Sequence, residues 1–206
     1  MTELEAVNIL LSTIGEAPID SLSDVSVNEI TDSALARKTL NEVSRDVQAE
    51  GWSWNTDQAV KYTKDSADEI KIPASALKVS FSGSQYGSMP YVVRGLRVYD
   101  RNRQSYDMSE IESVTANQVV TQLDWDDLPH QAQQYISIRA ARIYSDRYLN
   151  SAAIFTYTQG DEAYARSMLL RSEERDGENN LLYGNDIGVG QGVSYLPVGG
   201  LKYRRN

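Results

Sequence analysis

The chain has 206 residues, of which 41% are hydrophobic and 24% are charged, a globular composition that can bury a core. It contains no cysteine and one histidine, which excludes disulfides, thiolate zinc sites and a two-histidine metal site within one chain. The net charge of −9 disfavours a nucleic-acid-binding protein, because such proteins are usually basic. No apolar run reaches the roughly 18 residues of a membrane span, and the acidic start lacks the basic region of a signal peptide. We therefore expect a soluble protein made in a cytoplasm, with no cofactor.

Residues 1–51 contain signals for two helices. Thr2 and Glu5 match a capping box, in which each side chain accepts a hydrogen bond from a free backbone N–H of the first turn. Gly15 is typical of a helix end, because glycine readily adopts the left-handed cap. A second helix is predicted over about 28–50. Its apolar positions form one narrow stripe: Ala36, Leu40, Val43 and Val47.

Residues 52–126 alternate between apolar and polar side chains and are predicted to form a small β-rich subdomain inserted between helices. The strongest strand signal covers 91–99 and is interrupted by a turn or bulge at Gly95. Residues 100–105 indicate a turn. A last strand is predicted around the apolar residues Val119, Val120, Leu123 and Trp125.

Helical periodicity returns in residues 127–176. One helix is predicted to begin near Pro129, where a missing N–H costs nothing. Another is predicted from 155 or 158 to 176, with Glu162 and Arg166 at the spacing of an attractive surface pair. Four helices with narrow apolar stripes pack as a bundle. The predicted fold class is therefore α+β, mainly α, a four-helix bundle with an inserted small β subdomain and an extended C-terminal arm.

Residues 177–206 combine seven of the chain's 13 glycines with many apolar side chains. Glycine makes this segment too flexible to fold alone, yet its apolar content is too high for it to remain in water. We therefore expect an arm that becomes ordered on a neighbouring chain. Its candidate contact residues are Leu181, Leu182, Tyr183, Ile187, Val189, Tyr195, Leu196, Lys202, Arg204 and Arg205.

A basic cluster accompanies the strongest strand signal and forms a second candidate contact. It comprises Arg94, Arg97, Tyr99, Arg101 and Arg103. Such a group can form salt bridges with an acidic protein partner or contact DNA phosphates. On a chain with a net charge of −9, we favour the protein contact.

Candidate catalytic groups are few, and each has a structural interpretation. The aspartates within 124–127 precede a predicted helix, where carboxylates stabilise the N-terminus, although clustered carboxylates can also hold a cation. Glu173 and Glu174 would need a facing acid to act as a glycosidase pair. We expect the lone His130 to be a surface or capping residue. We therefore expect no enzyme, and keep a glycan-degrading hydrolase with paired carboxylates as the alternative.

Three blocks of sequence carry a resemblance to a known family. They are 6–10 (AVNIL) followed by 14–18 (IGEAP), then 51–55 (GWSWN), then 93–101 (VRGLRVYDR). In this order and spacing they resemble the tail tubular protein A family of short-tailed bacteriophages, the podoviruses. The blocks cover the first half of the chain, and the second half is similar mainly in its helical texture.

The resemblance implies a structural virion protein that acts as the head-to-tail adaptor. In that family the subunits form a ring, typically of twelve copies, beneath the portal protein. The ring carries the tail nozzle protein (tail tubular protein B), tail fibres attach around the joint, and DNA passes through the centre without specific binding. The implied location is the tail or neck of the virion, and the host cytoplasm during assembly, with no membrane partner.

Overall fold

A computed structural model describes residues 1–23, 31–81, 90–149 and 152–182, with the side chains of 149, 152–158 and 176–182 excepted. Within these residues the elements are α1 (Glu3–Thr13), α2 (Asp32–Gln48), β1 (Thr56–Thr63), β2 (Ala76–Phe81), β3 (Tyr91–Arg94), β4 (Arg97–Asp100), β5 (Ser113–Thr121), α3 (His130–Leu149) and α4 (Ala152–Leu182). The protein is therefore α+β and mainly α, as predicted. None of the described helices is both long and apolar enough to cross a membrane.

The first helix begins and ends as its local sequence predicts. Thr2 Oγ1 accepts a hydrogen bond from the Glu5 N–H at 3.2 Å, and the Glu5 carboxylate accepts one from the Thr2 N–H at 2.8 Å. This confirms the capping box. Gly15 follows the helix with a left-handed φ of 82°. In α2, which begins at Asp32 rather than near 28, the cap is Thr31, whose hydroxyl accepts from the Ala34 N–H.

The helices share one hydrophobic core in which α3 is central, because it packs against α1, α2 and α4. The predicted apolar stripe of α2 is wholly buried in it. The core residues are Ala6, Val7, Leu10, Leu11, Ala36, Leu40, Val43, Val47, Trp52, Leu128, Ala132, Tyr135, Ile136, Ala140, Ala141, Tyr144, Ala165 and Leu169. A regular four-helix bundle stays a prediction.

The five described strands, which come between α2 and α3 in the sequence, form two antiparallel sheets. β5 lies between β1 and β2, with Ala116 opposite Val60 and Val119 opposite Val79, and β3 pairs with β4. A second core, distinct from the helical one, is formed by Ile70, Ile72, Phe81, Val98, Met108, Val114, Ala116 and Val119. The domain limits at 51/52 and 126/127 stay predictions.

Two buried amides join the end of α2 to the end of β5. The Leu123 N–H donates to Gln48 Oε1 at 2.7 Å, and Asn55 Nδ2 donates to the carbonyl of Thr121 at 3.2 Å. β5 ends at Thr121, so the predicted strand residues Leu123 and Trp125 lie beyond it. This correction has a tertiary cause, because the Leu123 N–H is satisfied by Gln48 instead of by a neighbouring strand.

The largest departure from the prediction concerns α4. This helix begins at Ala152 and ends at Leu182, whereas the sequence pattern predicts 155 or 158 to 176. Residues 177–182 of the predicted arm are therefore helical. Once a helix is formed, each added residue gains a backbone hydrogen bond, which offsets the low propensity of Gly177. The rest of the predicted arm, 183–206, lies outside the described residues.

Candidate interaction surfaces

β3 and β4 are joined by a two-residue turn made of Gly95 and Leu96. Their φ angles are 56° and 60°, the left-handed pair of a type I′ turn, which matches the twist of a hairpin. The interruption predicted at Gly95 is thereby confirmed as a turn. Leucine adopts this conformation at a steric cost that glycine avoids. Leu96 is 46% exposed, so an apolar side chain stands at the hairpin tip.

Two arginines of the hairpin stack on tyrosine rings. The guanidinium carbon of Arg94 lies 4.1 Å from the ring centroid of Tyr99, and that of Arg97 lies 4.2 Å from the centroid of Tyr106. The two tyrosine rings meet edge to face with centroids 4.9 Å apart. These four side chains are called the hairpin stack. The contacts with the two rings hold both guanidinium groups in place.

Acidic side chains neutralise only part of this positive charge. Arg97 Nη1 lies 2.7 Å from Glu69 Oε1. Arg94 and Arg101 are exposed, and no carboxylate in the described part of the chain lies within salt-bridge distance of either. These two cations are therefore the ones best placed to meet an external anionic group.

The turn after β4 is shaped by a buried carboxylate. Asp100 Oδ1 accepts hydrogen bonds from the Asn102 N–H at 2.8 Å and the Arg103 N–H at 3.2 Å, the geometry that aspartate commonly gives to a turn. The Arg103 side chain pairs with Glu110. Residues 100–105 thus form the predicted turn, with Arg103 held against the subunit itself.

The structure brings three of the five predicted cluster residues together in the hairpin stack and places Arg101 and Arg103 on the following turn. Sequence reasoning missed Tyr106 and Glu69. Glu69 is an acidic residue next to Ile70, in a segment where Ile70 and Ile72 alternate with polar residues. Nothing in the neighbouring sequence indicated that Glu69 pairs with an arginine. Partner binding by this surface stays a prediction.

The predicted arm contacts fall at or beyond the end of α4. Leu181 and Leu182 are its last two residues. The others lie outside the described residues, namely Tyr183, Ile187, Val189, Tyr195, Leu196, Lys202, Arg204 and Arg205. Their contacts with a portal or a neighbouring copy stay predictions.

Charged residues also join α3, α4 and the end of α2. Arg166 Nη2 lies 3.0 Å from Glu50 Oε2, and Arg166 Nη1 donates to Tyr135 Oη at 2.9 Å. The hydrogen bond to Glu50 contributes most to raising the pKa of Arg166, and the hydrogen bond to Tyr135 raises it further. Glu162 pairs with Arg142 of α3. The predicted pair of Glu162 with Arg166 is therefore replaced by tertiary partners for both residues.

Three aspartates and the lone histidine lie at the start of α3. Asp124, Asp126 and Asp127 are exposed on the 3₁₀ turn just before the helix, and His130 is its exposed first residue. Carboxylates near the N-terminus of a helix are stabilised by the positive end of the helix dipole. Within the described ranges, no three acidic or histidine side chains are grouped to hold a metal ion. The helix-end interpretation of these residues stays a prediction.

Glu173 connects α4 to the short 3₁₀ turn that precedes β1. Its Oε1 accepts a hydrogen bond from the Ser53 N–H, while its Oε2 is buried without a partner among the described atoms. Glu174, the other candidate of a catalytic pair, is exposed. Glu173 therefore has a structural contact that explains its position.

Two carboxyl groups in the described part of the chain have pKa values below their ordinary range. Hydrogen bonds from the Lys71 ammonium and from two backbone N–H groups lower the pKa of Asp65 to about 2. The Ser109 N–H likewise lowers the pKa of Asp107. A general acid that works near neutral pH needs a raised pKa. These groups give no support to the glycan-degrading alternative.

Comparison with protein families identifies the kind of protein to which this fold belongs. The family model for the tail tubular protein matches residues 4–179, a range that contains all the described strands and nearly all of the helices. The match ends before the glycine-rich residues 183–206. A search of curated proteins found no match. The chain therefore belongs to the tail tubular protein family inferred from the three sequence blocks, and it is a structural component of the bacteriophage tail.

Proposed function

We propose that the protein is the head-to-tail adaptor of a short-tailed phage. Its copies form a ring, of twelve by resemblance to the family, that joins the portal protein to the tail nozzle protein. The ring offers attachment surface for tail fibres and surrounds the DNA passage. The observation that carries this proposal is the family match over residues 4–179, because it spans both cores of the described fold.

The hairpin supports a protein contact within such an assembly. Leu96 supplies an exposed apolar tip, and Arg94 and Arg101 supply unneutralised charge beside it. Interface centres are rich in arginine and aromatic side chains. Because the hairpin stack fixes Arg94 before binding, little side-chain entropy remains to be lost. An acidic patch on a tail or portal protein is the proposed partner of this surface.

The arm supplies a second, separate contact. A closed ring needs head-to-tail contacts between two different patches of each subunit. Ordering a glycine-rich arm on a partner costs entropy, so part of the affinity is withheld until the partner ring is present. This would keep free copies in the host cytoplasm from assembling before the portal is available.

The charge of the chain supports passage of DNA rather than binding. A net charge of −9 repels a polyanion, so acidic side chains lining the lumen would let DNA slide. Basic side chains facing the channel, with the acidic ones on the outer rim, would contradict this part of the proposal. We propose no enzymatic activity, because the tail tubular protein family is structural and Glu173 accepts a hydrogen bond from the Ser53 N–H.

Electron microscopy of the purified protein, alone and mixed with portal rings of the same phage, tests the proposal. We expect rings of this protein stacked on one face of the portal. The two layers should have the same rotational symmetry, or the symmetry number of one should be a multiple of the other. Portal rings that remain bare at micromolar concentrations of both proteins would contradict the adaptor role.

A further inference from the structure

A concave apolar surface lies between α1, α3 and α4. We call it the α1–α4 groove. Its volume is about 250 Å³, and it is lined by Ile9, Ile138, Ala141, Asp161 and Tyr164. Ile9 of α1 and Tyr164 of α4 are 41% and 68% exposed, and Ile138 and Ala141 belong to α3. Met168, one turn after Tyr164, extends the exposed apolar surface along α4.

The groove continues over α1 into a larger and more polar depression. This second concavity, of about 630 Å³, is lined by Met1, Glu5, Asn8, Ile9, Ser12 and His130. Ile9 lines both, so the two form one path across the helix. The described lining carries two carboxylates, Glu5 in the depression and Asp161 in the groove, and no lysine or arginine. A ligand for it should be apolar in one part and cationic in the next.

The C-terminal residues have this order of chemistry. Residues 193–198 (VSYLPV) are apolar apart from one serine, and proline favours an extended conformation for them. They are followed by a pair of glycines and then by Lys202, Arg204 and Arg205. No acidic residue occurs after Asp186. An apolar groove beside an acidic depression is therefore complementary to this segment in both polarity and sequence order.

We propose that the α1–α4 groove receives residues 193–198 of a second copy of this chain, and that the acidic depression receives the basic residues that follow. The inference rests on the proposed function, because it describes the contact between neighbouring copies of the ring. It makes that contact heterologous: the tail of one copy occupies the groove of the next, and the relation repeats until the ring closes.

The direction of α4 favours a second copy over the same copy. From Tyr164 to Leu182 the helix advances about 27 Å, at about 1.5 Å per residue. The arm thus starts well beyond its own groove and would have to reverse direction to return. An extended chain from 183 to 196 reaches up to about 45 Å further, which is enough to meet a neighbouring copy.

The absence of cysteine makes a crosslinking test specific. Ser12→Cys places a thiol on the path and Ser194→Cys places one in the arm, both nearly isosteric changes. The two single variants are mixed with portal rings and treated with a short bismaleimide, and the Ser194→Cys protein is isotopically heavy. We expect crosslinked peptides that join one light and one heavy chain. Asp46→Cys, exposed on α2, replaces Ser12→Cys in the control and should give none.

The outcomes separate the two proposals. Rings on the portal without the mixed crosslink would overturn the groove inference and leave the adaptor function standing. A doubly substituted chain that crosslinks only within itself would also overturn it, because the groove would then hold the arm of its own copy. If no rings form on the portal, both proposals fail.

A pair of matched variants on α4 tests the groove without relying on a crosslink in one position. Tyr164→Asp puts a charge in the groove, whereas Leu170→Asp puts the same charge about 120° further around the helix, at a residue that does not line the groove. Both side chains are exposed, at 68% and 44%, so both proteins should fold. We expect Tyr164→Asp to reduce ring formation about tenfold or more, as for a central interface residue, and Leu170→Asp to leave it unchanged. Equal effects of the two changes would contradict the inference.

Discussion

Asp65 organises the segment between β1 and β2 that supports the hairpin. Its carboxylate accepts hydrogen bonds from the N–H groups of Ala67 at 2.9 Å and Glu69 at 3.1 Å, and the Lys71 ammonium lies 2.7 Å away. This turn places Glu69 within reach of Arg97. The position of one arginine of the hairpin stack therefore depends on an ionised aspartate.

The ionisation of Asp65 gives a pH-dependent contribution to stability. Its pKa is lowered from 3.8 to about 2 in the folded protein. A group with a lowered folded pKa stabilises the fold above its unfolded pKa and loses that contribution as the pH falls through the folded value. We expect melting temperatures to fall more steeply between pH 4 and pH 2 for the wild type than for Asp65→Asn. Asp46→Asn, exposed on α2, is the control and should follow the wild type.

Local chemistry determines how much can be predicted about single residues. The capping box of Thr2 and Glu5 could be predicted, because its two partners are three residues apart and every atom involved belongs to one turn. The partner of Arg97 could not, because Glu69 lies 28 residues away and meets it only after the sheet has formed. The sequence thus predicts which basic residues cluster at the hairpin, but it does not predict which side chains they contact.

Two glycines mark the ends of the first two helices, and they differ in their surroundings. Gly15 and Gly51 both have left-handed φ angles, of 82° and 84°. A Cβ on Gly51 would lie 3.1 Å from Val120 Cγ2, whereas a Cβ on Gly15 would meet nothing within 4 Å. The turn after α2 therefore needs glycine for two reasons, conformation and close approach to β5, and the turn after α1 for only one.

This difference predicts unequal effects of the same substitution. Gly15→Ala should cost about 1 kcal/mol, the cost of a left-handed conformation for alanine. Gly51→Ala should cost about 2 kcal/mol or more, because Val120 must also move. Urea unfolding of the two variants measures both values. Equal losses, or a larger loss for Gly15→Ala, would show that the contact with Val120 has no energetic weight.

At the scale of elements, the hairpin turn and the capped start of α1 follow from nearby residues. The limits of α4 and β5 do not. β5 ends at Thr121, after which the Leu123 N–H donates to the Gln48 side chain, and α4 continues to Leu182 despite Gly177. Both depend on parts of the chain that a local pattern does not include.

Across the whole molecule, charge on the hairpin should govern docking. Arg94→Gln with Arg101→Gln removes two unneutralised cations, and Lys38→Gln with Lys61→Gln removes the same charge from exposed sites elsewhere. We expect the hairpin variant to bind its portal or tail partner about tenfold more weakly at low salt, a difference that shrinks as salt rises. Sedimentation of each variant with portal and with nozzle protein measures this. Equal binding by both variants would remove the hairpin from the proposed interface.

Truncation separates folding from assembly. The correction at the end of α4 places the cut after Leu182 rather than after 176. Both hydrophobic cores lie upstream of that point, so deletion of 183–206 should leave the melting temperature of the core nearly unchanged. The same deletion should abolish ring formation on the portal. A truncated protein that still docks would show that the arm is dispensable.

We propose that this protein binds copies of itself and the portal at the joint between capsid and tail. Electron microscopy of intact particles, with an antibody fragment against this chain as the label, tests this location. We expect label in a ring at the collar, between the portal and the nozzle. Label at the distal tip of the tail, along the fibres or inside the capsid would contradict it.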